Sequence, residues 1–292
     1  MMKPIIEVQN LSKKYKERKI LEDISFQINE GEIVALLGEN GAGKSTLINI
    51  LNQLIPKNSG TIQVMGTNKI SSIREKVSVM LQTNLSLNRI TVKELLNLSR
   101  SYYKHPLSYP TLIDLANLKT EEHHYLDNLS GGQKRRLTFA AAMAGDPKLV
   151  FLDEPTAGMD SETRRDFWKK IAEFKNSGKT FFVTSHYLEE LEDIADHVMI
   201  LKNTHFVYDG NLQDLRHASG QLIISFTTSL PRETFASFSA ITELTTDGDR
   251  FQLLTNNPNL VLEKLAPFFS QLENLTVQQS SLESLYMEVI KE

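Results

Sequence analysis

The stretch Gly38-Glu39-Asn40-Gly41-Ala42-Gly43-Lys44-Ser45-Thr46 constrains this 292-residue chain more than any other. It fits the pattern G-x-x-x-x-G-K-[ST]. Before it lies a short continuous apolar run, Ile33–Leu37; after it come Leu47, Ile48, Leu51 and Leu54, with Pro56 beyond. The run predicts a buried strand, and the apolar period predicts a helix that ends before the proline. A glycine-rich loop between a strand and a helix start can wrap its backbone N–H groups around an anion, and the helix dipole adds to the attraction. In this reading Gly38, Asn40, Gly41, Gly43 and Thr46 belong to the cradle. Lys44 neutralises the β- and γ-oxygens of a nucleotide, and the Ser45 hydroxyl ligates Mg²⁺. Alone, the pattern says only that a nucleotide is held by its phosphates.

The rest of the chain gives that loop an α/β setting. Ile6, Val8 and Leu11, then Ile24, Phe26 and Ile28, alternate with polar residues, which predicts antiparallel strands joined by the basic turn Lys13–Lys19. From about Thr91 to Ala144 the pattern is helical, with stripes at Leu95, Leu96, Leu98 and at Leu112, Leu115, Leu118, interrupted by Pro106 and Pro110. Leu149–Leu152 and Thr180–Thr184 read as buried strands around a helix over 162–176, the signature of a parallel sheet. The composition shifts near Gly220. Gln221–Thr227 predicts a strand, 241–255 a hairpin turning at Asp247-Gly248, 260–272 a helix, 275–278 a strand, and Ser281 onward a last helix. These form a small α+β appendage.

Composition narrows the partners. A hydrophobic content of 40% supports one large and one small domain. A net charge of −4 provides no basic field for nucleic acid. The absence of cysteine excludes disulfides and thiolate metal sites and fits a reducing cytoplasm. No signal-peptide pattern is expected at the start, and no run approaches the ~18 apolar residues that span a bilayer, so a membrane role would need other chains.

Leu149-Val150-Phe151-Leu152-Asp153-Glu154 is an apolar strand ending in two acids. Such a strand delivers Asp153 to the carboxyl edge of a sheet, beside the phosphate loop. Asp153 is the candidate Mg²⁺ holder, through water. Glu154 is placed to orient and polarise the attacking water. The bland alternative is a solvated acidic turn. Leu129-Ser130-Gly131-Gly132-Gln133, entering a helix, is a second phosphate-binding helix start. One nucleotide needs one cradle, so a second points to a composite site shared between two copies. An ordinary N-cap accounts for Ser130 but leaves the paired glycines and Gln133 unexplained.

These motifs, in this order, resemble the nucleotide-binding domain of the ABC ATPase family across about residues 5–215, and Leu129–Gln133 is identical to that family's signature motif. The resemblance implies a P-loop α/β core over 1–218, in which a mixed sheet carries an antiparallel β subdomain and an inserted helical subdomain at about 83–145. A small α+β domain follows at 219–292. It implies that Tyr15 stacks on adenine and that Gln82 touches Mg²⁺ or water where core and helical subdomain meet. It implies too that Ala157-Gly158-Met159-Asp160 crosses a dimer interface, Met159 standing where leucine is common, and that His186 contacts the γ-phosphate. Lys44, Gln82, Glu154 and His186 are then the catalytic set, and Ser45, Gln82 and Asp153 the metal set. Ser130, Gly131, Gly132, Gln133 and Asp160 bind the ATP of a second copy or of a similar chain.

The resemblance further implies ATP hydrolysis coupled to an integral-membrane permease, at the cytoplasmic face of the cell membrane. The ending Ser281-Leu282-Glu283-Ser284-Leu285-Tyr286 resembles the close of ATPases that partner ABC-2-type exporters. A soluble ABC ATPase acting on ribosomes or DNA is the competing reading; the single phosphate loop and the lack of cysteines weigh against it. His123-His124 reads as a solvated loop, and Lys134-Arg135-Arg136 as a helix face near phosphate.

Overall fold

A computed structural model describes residues 4–82, 89–185, 187–219, 222–279 and 281–291. The chain divides into two compact units, 1–209 and 210–292.

The first unit opens with β1 (Pro4–Tyr15) and β2 (Arg18–Asn29), paired antiparallel. Ile6, Val8, Leu11, Ile24, Phe26 and Ile28 are all buried, as the alternation predicts. The turn is tighter than the basic run suggests: Tyr15 pairs with Arg18, and Lys13 is itself buried. Then come β3 (Ile33–Gly38), α1 (Lys44–Leu51), β4 (Ser59–Val64) and β5 (Val77–Met80). Helix α1 buries Leu47, Ile48 and Leu51, but it is capped at Asn52, so Leu54 falls outside it and is exposed. Three helices follow: α2 (Val92–Ser101), α3 (Tyr109–Ala116) and α4 (Gly131–Ala142). After them come β6 (Leu149–Asp153), α5 (Ser161–Asn176), β7 (Thr180–Thr184), α6 (Leu188–Glu192), β8 (His197–Lys202) and β9 (His205–Asn211).

Two sheets share one core. The antiparallel sheet has the order β2-β1-β4 and the larger sheet β5-β6-β7-β3-β8-β9. Strands β5, β6, β7, β3 and β8 are parallel neighbours. Side chains such as Ile6 and Phe26 from the first sheet, Leu47 from α1 and Phe151 and Phe182 from the second pack into a single cluster. β3 and β6 read as continuous apolar runs because both faces of a parallel sheet are covered.

The second unit contains α7 (Leu212–Ser219), β10 (Leu222–Thr227), α8 (Glu233–Ala236), β11 (Glu243–Asp247), β12 (Arg250–Thr255), α9 (Pro258–Leu265), β13 (Glu273–Gln279) and α10 (Leu282–Lys291). Its four strands form an antiparallel sheet in the order β11-β12-β10-β13. The hairpin turns at Asp247-Gly248, with Gly248 at φ 62°. Its core is aromatic: Phe226, Phe235 and Phe251 with Leu253, Val261 and Leu265.

Candidate functional site

Because β3, β5, β6 and β7 run parallel, their carboxyl ends share one edge of the sheet, where open α/β folds place ligands. β3 ends in Gly38 and enters the loop; β5 leads to Leu81-Gln82; β6 ends in Asp153, next to Glu154; β7 ends in Thr184. Asp153 lies in register with Thr184, whose hydroxyl donates to Asp153 Oδ1 at 2.6 Å. The Glu154 N–H donates to Thr184 O at 3.1 Å and to Thr184 Oγ1 at 3.0 Å. These bonds hold Glu154 at φ 50°, in the left-handed region, where a non-glycine residue costs about 1–3 kcal/mol. Gln82 Nε2 donates to Glu154 Oε2 at 2.9 Å.

Lys44 opens α1, and its ammonium group donates to Gly38 O at 2.7 Å and Glu39 O at 3.1 Å. Burial lowers its pKa from the usual lysine value, while the Glu154 and Asp153 charges push the other way. Gly43, at φ 113°, approaches β2 so closely that a Cβ would stand 3.0 Å from Ile20 Cγ2 and 3.2 Å from Ile20 O. A cavity of about 470 Å³ is lined by Asn40, Gly41, Gly43, Lys44, Ser45, Thr46, Gln82 and Glu154, together with Arg18 and Ile20. Asp153 lies behind it, 3% exposed. Tyr15 is not in the lining. It is half-exposed beside Arg18, which is, and Lys13 Nζ sits 4.7 Å from its ring centre. His186 lies outside the described residues.

Ser130 caps α4 and accepts from Gln133 N, while Gln133 Oε1 accepts from Ser130 N at 2.9 Å. This reciprocal capping box accounts for Gln133 as well as Ser130, and so corrects the sequence reading; only the paired glycines stay outside helix capping. A Cβ on Gly132 would lie 3.4 Å from Gly158 O, so the helix start packs on the Ala157–Asp160 loop. Asp160 caps α5, and the Thr163 N–H holds its carboxyl below the usual range. Neither Ser130, Gly131, Gly132 and Gln133 nor Asp160 lines the cavity.

Ser45, Asp153 and Gln82 offer only hard oxygen donors. Asp153 keeps one carboxylate oxygen beyond the Thr184 bond, and Gln82 keeps its amide oxygen beyond the bond to Glu154. That set suits Mg²⁺ held partly by phosphates and water. No cluster of three or more His, Asp or Glu that could cage a metal occurs among the described residues.

The sequence reading placed Arg135 on a helix face near phosphate; the structure instead buries it among backbone carbonyls. It is 2% exposed on α4, and its guanidinium donates to four carbonyls: Leu81 O at 2.9 Å, Gln82 O and Asp153 O at 3.0 Å, and Glu154 O. A signal was present, since Arg135 shares the inward face of α4 with Phe139 at the i, i+4 spacing. Glu190 was missed. It accepts from Trp168 Nε1 at 2.7 Å and Thr156 Oγ1 at 3.1 Å and pairs with Arg164 at 3.2 Å, tying the loop after Glu154 to α5 and α6.

Known proteins resemble this chain in sequence and in fold. A family model described as "ABC transporter" matches residues 21–157. The Nod factor export ATP-binding protein I of Sinorhizobium fredii (strain NBRC 101917 / NGR234) is 34% identical over 213 residues, which cover 70% of this chain and 62% of that protein. The protein of the same name from Ralstonia nicotianae (strain ATCC BAA-1114 / GMI1000) is 32% identical over 220 residues, 73% of this chain and 68% of that one. Among solved structures, the ATP binding subunit of an ABC transporter matches with a TM-score of 0.68 at 29% identity, covering 74% of this chain and 93% of that chain.

Proposed function

The chain belongs to the ABC transporter family, and on that premise we propose that it is the ATP-binding and ATP-hydrolysing subunit of an ABC-2-type exporter. It works as one half of an ATP-closed dimer, formed with a second copy or a similar chain, against a separate integral-membrane permease. The observation that carries the reading is the cavity in which the hydrogen-bonded pair Gln82–Glu154 faces the Lys44 phosphate loop. Lys44 and the loop N–H groups bind the phosphates. Ser45, Asp153 and Gln82 would hold Mg²⁺, which supplies charge neutralisation to the β- and γ-oxygens. Glu154 orients a water and accepts its proton as the water oxygen bonds to the γ-phosphorus. The bond from that phosphorus to the β–γ bridging oxygen breaks, and ADP leaves with that oxygen. Tyr15 packs on the adenine. His186 contacts the γ-phosphate.

Ser130, Gly131, Gly132, Gln133 and Asp160 stand apart from this cavity, which supports their acting on the ATP of the other chain. ATP bound from both sides closes the dimer, and hydrolysis removes those contacts. The export direction is supported by the relatives, which are named for Nod factor export, and by the ending Ser281–Tyr286. Among the described residues no helix is long and apolar enough to cross a membrane. We therefore assign the crossing to the permease and this chain to the cytoplasmic face beneath it. The domain reading, an ATPase domain over 1–218 and an appendage over 219–292, belongs to the same proposal.

Glu154→Gln tests it. Nucleotide binding should persist, steady-state turnover should fall by about 10²–10⁴-fold, and sedimentation in ATP should register a dimer. Normal turnover in this variant would remove Glu154 from its role. A species that stays monomeric in ATP would remove the homodimer and leave the composite site only to a pair with a similar chain.

A further inference from the structure

Arg135 is the largest charged side chain buried in the first unit, and its partners are unusual. Both terminal nitrogens are committed to backbone carbonyls: Nη1 to Leu81 and Gln82, Nη2 to Asp153 and Glu154. These four residues flank the ends of two adjacent parallel strands, β5 and β6. Its Nε has no hydrogen-bond partner among the described residues. A buried guanidinium is costly to leave unsatisfied, so the fork holds its acceptors firmly. It sits five residues into α4 from the Ser130 cap, roughly 7–8 Å along the axis at 1.5 Å per residue, within one rigid helix.

We infer that Arg135 is a positioning residue for hydrolysis: from the signature helix it fixes the two strand ends that carry Gln82 and Glu154. The inference rests on the ATP-hydrolysing function proposed above. It makes one helix serve two sites, since its first turn meets the ATP of the other chain and its second turn sets the geometry of this chain's own catalytic pair. A shift of α4 by about 1 Å would stretch bonds of 2.9–3.0 Å out of hydrogen-bonding range and release Gln82 and Glu154 together. A lysine ammonium has three donors on one atom and cannot span four carbonyls on two strands.

The test uses the full-length chain with ATP and compares Arg135→Lys and Arg135→Met with the wild type, each alone and combined with Glu154→Gln. Binding of a fluorescent ATP analogue should keep full stoichiometry and a Kd within about threefold, because Arg135 does not line the cavity. Turnover should fall by about 10²-fold for Met, the cost of a misplacement near 1 Å, and by about tenfold for Lys. In the Glu154→Gln background, single-turnover hydrolysis no longer depends on where a carboxylate sits. The same substitutions should then cost several-fold less than in the wild type, because only Gln82 is left to misplace. Equal losses in both backgrounds would mean that Arg135 only supports folding, and would overturn the inference. So would an Arg135→Lys enzyme turning over within about twofold of the wild type. If Arg135→Met does not fold, Arg135→Lys carries the comparison alone. A wild-type chain that binds ATP but never hydrolyses it overturns the ATPase reading and this inference with it; wild-type turnover with no Arg135 effect overturns this inference only.

Discussion

Thr184 illustrates how one hydroxyl can serve two neighbouring acids. Fully buried at the end of β7, it donates to the Asp153 carboxylate and accepts from the Glu154 N–H. Thr184→Val keeps the shape and removes both bonds, leaving a buried carboxylate oxygen without its donor. We expect a loss of about 1–3 kcal/mol, read as a lower urea midpoint at unchanged slope, together with slower ATP turnover. A midpoint equal to the wild type would show that Asp153 does not depend on this hydroxyl. At this scale Lys44, Ser45 and Glu154 were legible as candidates, because each belongs to a motif whose chemistry is carried by its own side chain, and all three line the cavity. Arg135 and Thr184 were not legible, because what they do depends on atoms distant in sequence. Arg135 binds backbone carbonyls 18 to 54 residues away, and no sequence pattern announces a carbonyl acceptor.

Among the elements, the central strands were the most legible and the edges the least. Ile33–Gly38, Leu149–Asp153 and Thr180–Thr184 are buried at every position but Gly38, and mostly apolar, because parallel strands are covered on both faces. β9 alternates between exposed and half-buried positions, and β4 buries only Ile62 and Val64 between exposed neighbours, so neither produces a buried run. β8 adds an electrostatic clamp. His197 at its start hydrogen-bonds Asp209 on β9 and lies 3.8 Å from Glu32, just before β3. Burial alone would lower the His197 pKa. The hydrogen bond to Asp209 and the nearby Glu32 carboxylate, with their charges, outweigh it and raise the pKa to about 9. Burial likewise works to raise Glu32, but the nearby His197 and the hydrogen bonds from Asn29 bring it down to about 2. The raised histidine contributes stability that is full below its unfolded pKa near 6.5 and lost as pH rises through about 9. The lowered glutamate contributes stability that is full above about 4.5 and lost as pH falls towards 2. Thermal stability should therefore decline on both sides of pH 4.5–6.5 through this clamp. His197→Gln should flatten the alkaline limb between pH 6.5 and 9; an unchanged limb would exclude the clamp as its cause.

On the scale of the whole molecule, the two units carry separate hydrophobic cores. Phe235 anchors the second, fully buried, with Phe226, Phe251, Phe238 and Phe268 at ring-centre distances of 5.0, 5.3, 5.9 and 5.9 Å. Phe235→Ala should destabilise that unit by about 3–5 kcal/mol while ATP binding at the phosphate loop stays intact. Calorimetry should register this as the loss or lowering of one transition. A uniform shift of all unfolding would instead mean that the two cores melt as one. By itself the sequence determined the class of chemistry and the order of its parts. A phosphate loop, an acid pair and a second glycine-rich helix start each act through local backbone conformation and side-chain type, which a contiguous stretch specifies. Only the tertiary structure decided which of these parts share a cavity. It joins Gln82 and Glu154 to the loop of Gly38–Thr46, sets Ser130–Gln133 and Asp160 apart from it, and places Arg135 between the strand ends. Those relations follow from strand order and register in a parallel sheet, where residues more than a hundred positions apart end at one edge, and short-range patterning carries no record of that pairing.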